Sequence, residues 1–165
     1  MLKGSLQKNQ FDTKVCSILG WEEKNCYIDG YRLVILPDDI EPEPKKGNLN
    51  LTDEKFDNLV NEITKKDYSN QLVNTELTKS IENGKNYMIL HDRENDKYIF
   101  LDKDLIPYND RDLFGLTFYT TNENYDFVLI VHEKKRESLY LLPVRIPEKL
   151  DYLISPNEFM EEKGK

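Results

Sequence analysis

The 165-residue chain contains no alanine and only two cysteines, Cys16 and Cys26. Their spacing does not match the C-x-x-C pattern of zinc or redox sites, and two thiols do not make a disulfide framework. We therefore expect small, buried thiols in a reducing cytosol. The lack of alanine, together with abundant Asn, Lys, Ile and Tyr, is typical of an AT-rich coding genome, such as that of a low-GC bacterium, its phages or certain protists.

Long apolar runs are also missing from the chain. No stretch approaches the ~18 apolar residues that a membrane span requires, and the first residues, MLKGSLQK, lack the apolar core of a signal peptide. These absences predict a soluble, cytoplasmic protein that does not contact a membrane.

Positive charge is scarce relative to negative charge, and the net charge is −8. A protein that holds nucleic acid by its phosphates needs a clustered basic face, so direct binding of DNA or RNA is not expected. The same imbalance is unsuited to an anionic membrane surface. It would attract a protein partner with a basic surface.

The two histidines, His91 and His132, occupy matching places in the chain. Each closes an apolar run and precedes an acid, a polar turn and a second apolar run, over residues 87–101 and 127–142. Such runs around a short turn predict two β-hairpins. Residues 113–120 lie between them and are rich in aromatic and β-branched side chains, which predicts a further strand.

Two mid-chain helices are predicted as well. Residues 53–66 combine an N-cap, acidic residues in the first turn, and Phe56, Leu59, Val60 and Ile63 at helical spacing. A second, weaker pattern covers Asn70 to Glu82, with Val73, Leu77 and Ile81 on one face and Asn83-Gly84 as a stop signal.

We therefore predict one α+β domain over residues 1–165, in which an antiparallel sheet of five or more strands is covered by the two mid-chain helices and followed by a short C-terminal helix starting at Ser155. Asp29-Gly30 predicts a tight hairpin within the first region. The predicted segments are an N-terminal β region (1–36), a Pro-rich acidic connector (37–48), a helical segment (49–84), an antiparallel β region (85–146) and a C-terminal segment (147–165).

One candidate site joins the two histidines. If the two hairpins paired side by side, their ends would bring together His91, Asp92, His132 and Glu133, and imidazole with carboxylate suits zinc or manganese. The residues lack the HxH or HExxH spacing of a metal site, and polar residues also follow a strand wherever it meets solvent. We therefore expect no metal and no cofactor, and a metal-dependent hydrolase using His91 and His132 is the second alternative.

Signatures of catalysis are absent from the rest of the sequence. It contains no GxGxxG, P-loop, GxSxG, kinase or deaminase motif. The chain is therefore predicted not to be an enzyme.

The remaining candidate is a surface for a basic partner. The connector carries four acids without an intervening base, and Trp and Tyr residues near acids are of the type enriched at binding hot spots. The predicted partner-binding residues are Asp38, Asp39, Glu41, Glu43, Trp21, Tyr108, Asp110 and Asp112. The alternative for each is an ordinary loop residue or a buried ring.

These expectations lead to an acidic, non-enzymatic interaction protein, with phage or mobile-element origin, that inhibits a basic, nucleic-acid-handling host protein. Anti-CRISPR and anti-restriction inhibitors are similar in size and charge alone. An immunity protein that neutralises a cognate toxin is the first alternative, because the same composition would serve both roles.

Overall fold

The computed structural model describes residues 11–18, 22–36, 49–80, 86–106, 108, 115–121, 126–134 and 136–144. Within these ranges the protein is mostly β, with nine antiparallel strands and one helix of seven residues or more. The predicted α+β fold with two mid-chain helices over a sheet is therefore wrong. The connector at 37–48 and the C-terminal segment at 147–165 lie outside the described residues, as does the helix expected from Ser155.

The nine strands form one sheet with the order β1-β2-β3-β9-β8-β7-β4-β5-β6. Their bounds are Asp12–Ile18 (β1), Glu22–Ile28 (β2), Arg32–Leu36 (β3), Asn70–Ser80 (β4), Asn86–Asp92 (β5), Lys97–Asp102 (β6), Leu116–Thr120 (β7), Val128–His132 (β8) and Glu137–Leu141 (β9). The helix, α1, spans Asp53–Thr64, and a single 3-10 turn covers Lys103–Leu105. No helix in the described ranges is long and apolar enough to cross a membrane.

The three hairpins predicted from the sequence are confirmed. β2 pairs with β3, β5 with β6, and β8 with β9, all antiparallel. At the first turn the amide of Asp29 donates to the carbonyl of Arg32 at 3.1 Å, and the carboxylate of Asp29 accepts from the amides of Tyr31 and Arg32. The two residues that separate this pair are Gly30 and Tyr31, so the tight hairpin is present, but its loop is one residue later than Asp29-Gly30 and does not use the positive φ angles that Asp-Gly predicts.

The second predicted helix is instead strand β4. Its residues 70–72 pair with β7, and residues 73–80 pair with β5. The register shifts between Asn74 and Thr78, and Glu76 has a φ of 64°, which marks a β-bulge. The bulge interrupts the two-residue alternation of a strand, so apolar side chains recur at a spacing that resembles a helix.

Helix α1 forms where it was predicted and ends two residues earlier. The hydroxyl of Thr52 accepts from the amide of Lys55 at 3.2 Å and caps the first turn. Phe56, Val60 and Ile63 are buried and form a core cluster with the outer face of β2 and β3.

Strand β3 is buried on both faces and separates two cores. Val34 and Leu36 belong to the main core, while Leu33 and Ile35 face α1. β3 also pairs with β9, which joins the N-terminal hairpin to the rest of the sheet. The main core further contains apolar side chains of β4 to β9, among them Met88, Leu90, Ile130 and Leu139. The sheet therefore curls, so that β5 and β6 contribute to the same core as β3 and β9.

Candidate functional site: a groove along the edge strand

Most of the predicted partner-binding residues lie outside the described part of the chain. These are Trp21, Asp38, Asp39, Glu41, Glu43, Asp110 and Asp112. The remaining one, Tyr108, is 3% exposed. Its ring therefore lies in the main core and not on the surface of this structure.

Tyr108 belongs to a buried polar cluster. Its hydroxyl donates to Oε2 of Glu137 at 2.8 Å, and its ring centroid lies 5.5 Å from that of His132. His132 and Glu137 are cross-strand partners at the turn between β8 and β9. Buried polar groups with partners of this kind stabilise one arrangement of the core. The contacts link the segment after β6 to the β8–β9 hairpin.

The two histidines do not meet in the sheet. Strands β7 and β4 lie between β8 and β5, so the side-by-side pairing of the two hairpins on which this candidate site depends does not occur. Nε2 of His91 lies 3.0 Å from Oδ1 of Asp96, and its ring stacks on Tyr98 at 4.7 Å. Asp92 is buried and accepts hydrogen bonds from the turn amides and from Asn70. Within the described ranges, no group of three or more His, Cys, Asp or Glu could hold a metal ion.

A groove between β1 and α1 is a concave surface that carries charged side chains. It consists of a cleft of about 500 Å³ beside the start of α1 and one of about 260 Å³ further along the helix, and Lys14 lines both. We call this the β1–α1 groove. Its walls include the side chains of Asp12, Lys14, Cys16, Asp53, Asp57 and Val60.

One side of the groove is a sheet edge. Among the described strands, β1 is terminal and pairs with β2 alone. The bond from the Asp29 amide to the Arg32 carbonyl fixes which residues of β2 face β3, since hydrogen-bonded pairs alternate along an antiparallel ladder. It follows from the β1–β2 register that Lys14 and Cys16 bond to β2. The backbone groups of Val15 and Ser17 therefore point away from the sheet.

The side chains of Lys14, Cys16 and Asp57 join the edge strand to the helix. Nζ of Lys14 lies 2.8 Å from Oδ2 of Asp57, and the Cys16 thiol donates to Oδ1 at 3.3 Å. The hydrogen bond from Lys14 lowers the pKa of Asp57, and the hydrogen bond to Asp57 raises the pKa of Lys14. Both groups therefore remain charged over the neutral range.

Cys26 lies behind Cys16 and is completely buried. The pKa of the Cys26 thiol is raised by two effects, of which the hydrogen bond with Cys16 is the larger and burial is the second. The protonated form is favoured, which is the opposite of an activated nucleophile. Both cysteines are buried, as predicted, and of the two Cys16 lines the groove.

Asp12 is the buried acid of the groove, with 6% exposure. Its Oδ2 accepts from the amide of Leu51 at 2.6 Å, which ties the residues before α1 to the edge strand. Its Oδ1 is buried and accepts no hydrogen bond from the described residues. Such an atom is costly to leave unsatisfied, so Asp12 is a strained position of the groove wall.

The groove was not predicted from the sequence. The pattern at residues 11–36 indicated strands, but whether a strand is central or terminal depends on pairing with distant residues. The available signal was the alternation of Asp12, Lys14 and Cys16 on one face of β1 opposite the acids of the first turn of α1.

No protein-family model, curated protein or solved structure matches this chain.

Proposed function

We propose that the protein is a non-enzymatic interaction protein whose partner is a protein with a basic surface, and that the β1–α1 groove binds this surface. The observation that carries the proposal is a sheet edge that no other described strand pairs with, beside a groove whose described lining has three carboxylates, on Asp12, Asp53 and Asp57, and one ammonium, on Lys14. A concave site with this excess of negative charge favours a cationic ligand group.

Exposure of the acids supports an electrostatic contribution to binding. Asp53 and Glu54 are exposed in the first turn of α1, and the side chain of Asp57 is 48% exposed. Attraction between exposed charges is screened over roughly 8 Å at physiological salt. Binding through this groove should therefore weaken as salt rises, and association should slow.

The finer form of the proposal is inhibition. A basic, nucleic-acid-handling host protein presents the positive charge that the groove requires, so we propose cytoplasmic inhibition of such a protein by an anti-CRISPR or anti-restriction type of protein from a phage or mobile element. An immunity protein that neutralises a basic toxin would use the same groove. Reconstitution with the captured partner distinguishes the inhibitor role from the immunity role, because the activity of the partner itself is then assayed.

Capture of a partner from a low-GC bacterial lysate tests the proposal when two variants are compared. Asp53→Asn with Glu54→Gln removes one charge that lines the groove and one beside it in the first turn of α1. Glu94→Gln with Asp104→Asn removes two exposed charges near β6, at the opposite end of the strand order. A protein captured by the wild type and the β6 variant, but not by the groove variant, would support the proposal. Equal capture by all three would contradict the role of the groove.

A further inference from the structure

We propose that the β1–α1 groove binds its partner as an extended segment that pairs antiparallel with β1 and continues the sheet beyond β1; this inference rests on the proposed function. In this mode the backbone supplies the affinity, and side-chain positions along the groove supply the selectivity.

The backbone of β1 is arranged for such pairing. Val15 and Ser17 direct their N–H and C=O groups away from β2, as the ladder pattern requires. Val15 is 46% exposed, and its apolar side chain is available for a cross-strand contact with an added residue. A natural sheet often protects such an edge with a charged side chain, proline or a bulge. β1 contains no proline and no bulge, and the ammonium of its lysine, Lys14, is paired with Asp57 on α1.

The side chains that face α1 define what the segment contains. In an antiparallel addition, the residue opposite Cys16 comes first, the residue opposite Lys14 lies two positions later, and the residue opposite Asp12 lies four positions later. The first of these approaches Val60 and should be apolar. The second meets the Lys14–Asp57 ion pair and should be polar.

The third position should be basic. Asp12 would belong to a pair without direct backbone bonds, in which the side chains approach most closely. Asp12 and Asp53 both line this end of the groove, and an arginine or lysine side chain on the segment meets their negative charge. The expected motif is therefore an apolar, a polar and a basic residue at every second position.

Charge argues against a second copy of this chain as the occupant. A two-fold axis through Val15 would pair two β1 strands and place both α1 helices on the same face of the sheet. The two helices would then run antiparallel, so that Asp57 of one copy lies near Asp57 of the other, and the residue opposite Asp12 would be the uncharged Ile18. A basic segment meets complementary charge at Asp12, whereas a second copy supplies none there.

A synthetic peptide, Thr-Ile-Val-Thr-Thr-Arg with blocked ends, tests the inference by amide NMR of the full chain. The peptide is written to lie opposite residues 17 to 12. On addition at millimolar concentration, the amides of Val15 and Ser17 should shift and exchange at least tenfold more slowly with solvent. The amides of Lys14 and Cys16 should already be slow, because they bond to β2. Slow exchange at Val15 in the free protein would show that the edge is covered and would overturn the inference.

Backbone methylation supplies a matched pair of peptides. N-methylation of the peptide valine removes the N–H that faces Val15 and should abolish binding. N-methylation of the threonine opposite Lys14 alters an N–H that faces solvent and should weaken binding far less. Equal effects of the two methyl groups would contradict strand pairing.

Two further comparisons separate this inference from the proposed function. Replacement of the arginine by glutamate should weaken binding at least tenfold, and Val15→Pro should remove binding while Val15→Thr retains it. If binding depended on the charge of the peptide but not on backbone methylation or on Val15→Pro, the proposal of a basic partner would stand and the inference of an added strand would be refuted. Failure of the arginine peptide to bind at millimolar concentration, or concentration-dependent dimerisation that protects Val15 instead, would refute the inference.

Discussion

Nζ of Lys14 and Oδ2 of Asp57 lie 2.8 Å apart and connect the edge strand β1 to helix α1. The two residues are 43 positions apart in the chain, and both line the β1–α1 groove. The side chains are 28% and 48% exposed, so solvent screens the attraction. The ion pair therefore matters more for the shape and charge of the groove than for total stability.

Replacement of Lys14 by methionine should lower the free energy of unfolding by about 0.2–1 kcal/mol, the range of exposed ion pairs. Urea unfolding measures this, and Lys55→Met on the exposed side of α1 is the matched control. The pKa of Asp57 is lowered on folding, so its contribution is present above its ordinary pKa of 3.8 and is lost as the pH falls. The raised pKa of Lys14 makes its contribution complete below 10.5 and lost above it. If the wild type stayed more stable than Lys14→Met outside this pH window, the ion pair would not be the cause of the difference.

The bulge in β4 leads to a prediction about Glu76→Gly, whose effect on stability should have one sign in this strand and the opposite sign in a helix. Glu76 has a φ of 64°, a region where glycine is free of strain. Glu76→Gly should leave stability unchanged or raise it by up to about 1 kcal/mol. In an exposed helix interior the same change would cost roughly 1 kcal/mol. Thermal unfolding measures the sign, and Glu76→Val should destabilise because a β-branched side chain resists positive φ.

Local signals predicted the elements whose causes are local. The Asp29-Gly30 turn and the Thr52 cap with its apolar stripe act over a few residues, and both the hairpin and α1 are present. β4 was mistaken for a helix because its bulge hides the alternation and because its pairing partners, β5 and β7, lie elsewhere in the chain. The groove depends in addition on β1 being the terminal strand, which no local pattern encodes.

The site prediction differed from the structure for a related physical reason. Tyr108 stands near acids in the sequence, which suggested an exposed hot spot, but its hydroxyl has a buried partner in Glu137. A tyrosine with such a partner is easily accommodated in a core. Acids of the groove, such as Asp12 and Asp57, were not distinguished because they are separated in the chain and meet only after β1 packs on α1.

The Tyr108–Glu137 contact should be needed for stability. Tyr108→Phe removes the hydroxyl and leaves Oε2 of Glu137 without this donor in a buried place, at a cost of about 1–3 kcal/mol. Glu137→Gln keeps an acceptor without the charge, so the hydroxyl should matter less in that background. A double-mutant cycle by urea unfolding gives the coupling. Additive effects of the two substitutions would show that the charge of Glu137 adds nothing to the hydrogen bond from Tyr108.

Arg32 should be among the most sensitive positions of the fold. It is 2% exposed, and its Nε lies 3.1 Å from Oδ2 of Asp29. One terminal nitrogen donates to the carbonyl of Leu105 at 2.6 Å, and the guanidinium lies 5.0 Å from the centre of the Phe11 ring. The guanidinium thus holds the β2–β3 turn, the segment after β6 and the residue before β1 together.

Replacement of Arg32 by alanine should cost about 3–5 kcal/mol, because it removes a buried ion pair on one side and leaves a cavity. Arg32→Lys keeps the charge but cannot bond to Asp29 and Leu105 with the same planar group, so an intermediate loss is expected. The other terminal nitrogen has no hydrogen-bond partner among the described residues, which limits what the native residue contributes. Arg32→Met therefore provides the informative comparison in urea unfolding. If methionine equals arginine in stability, packing in this place outweighs the hydrogen bonds, and the guanidinium is not what holds the three segments together.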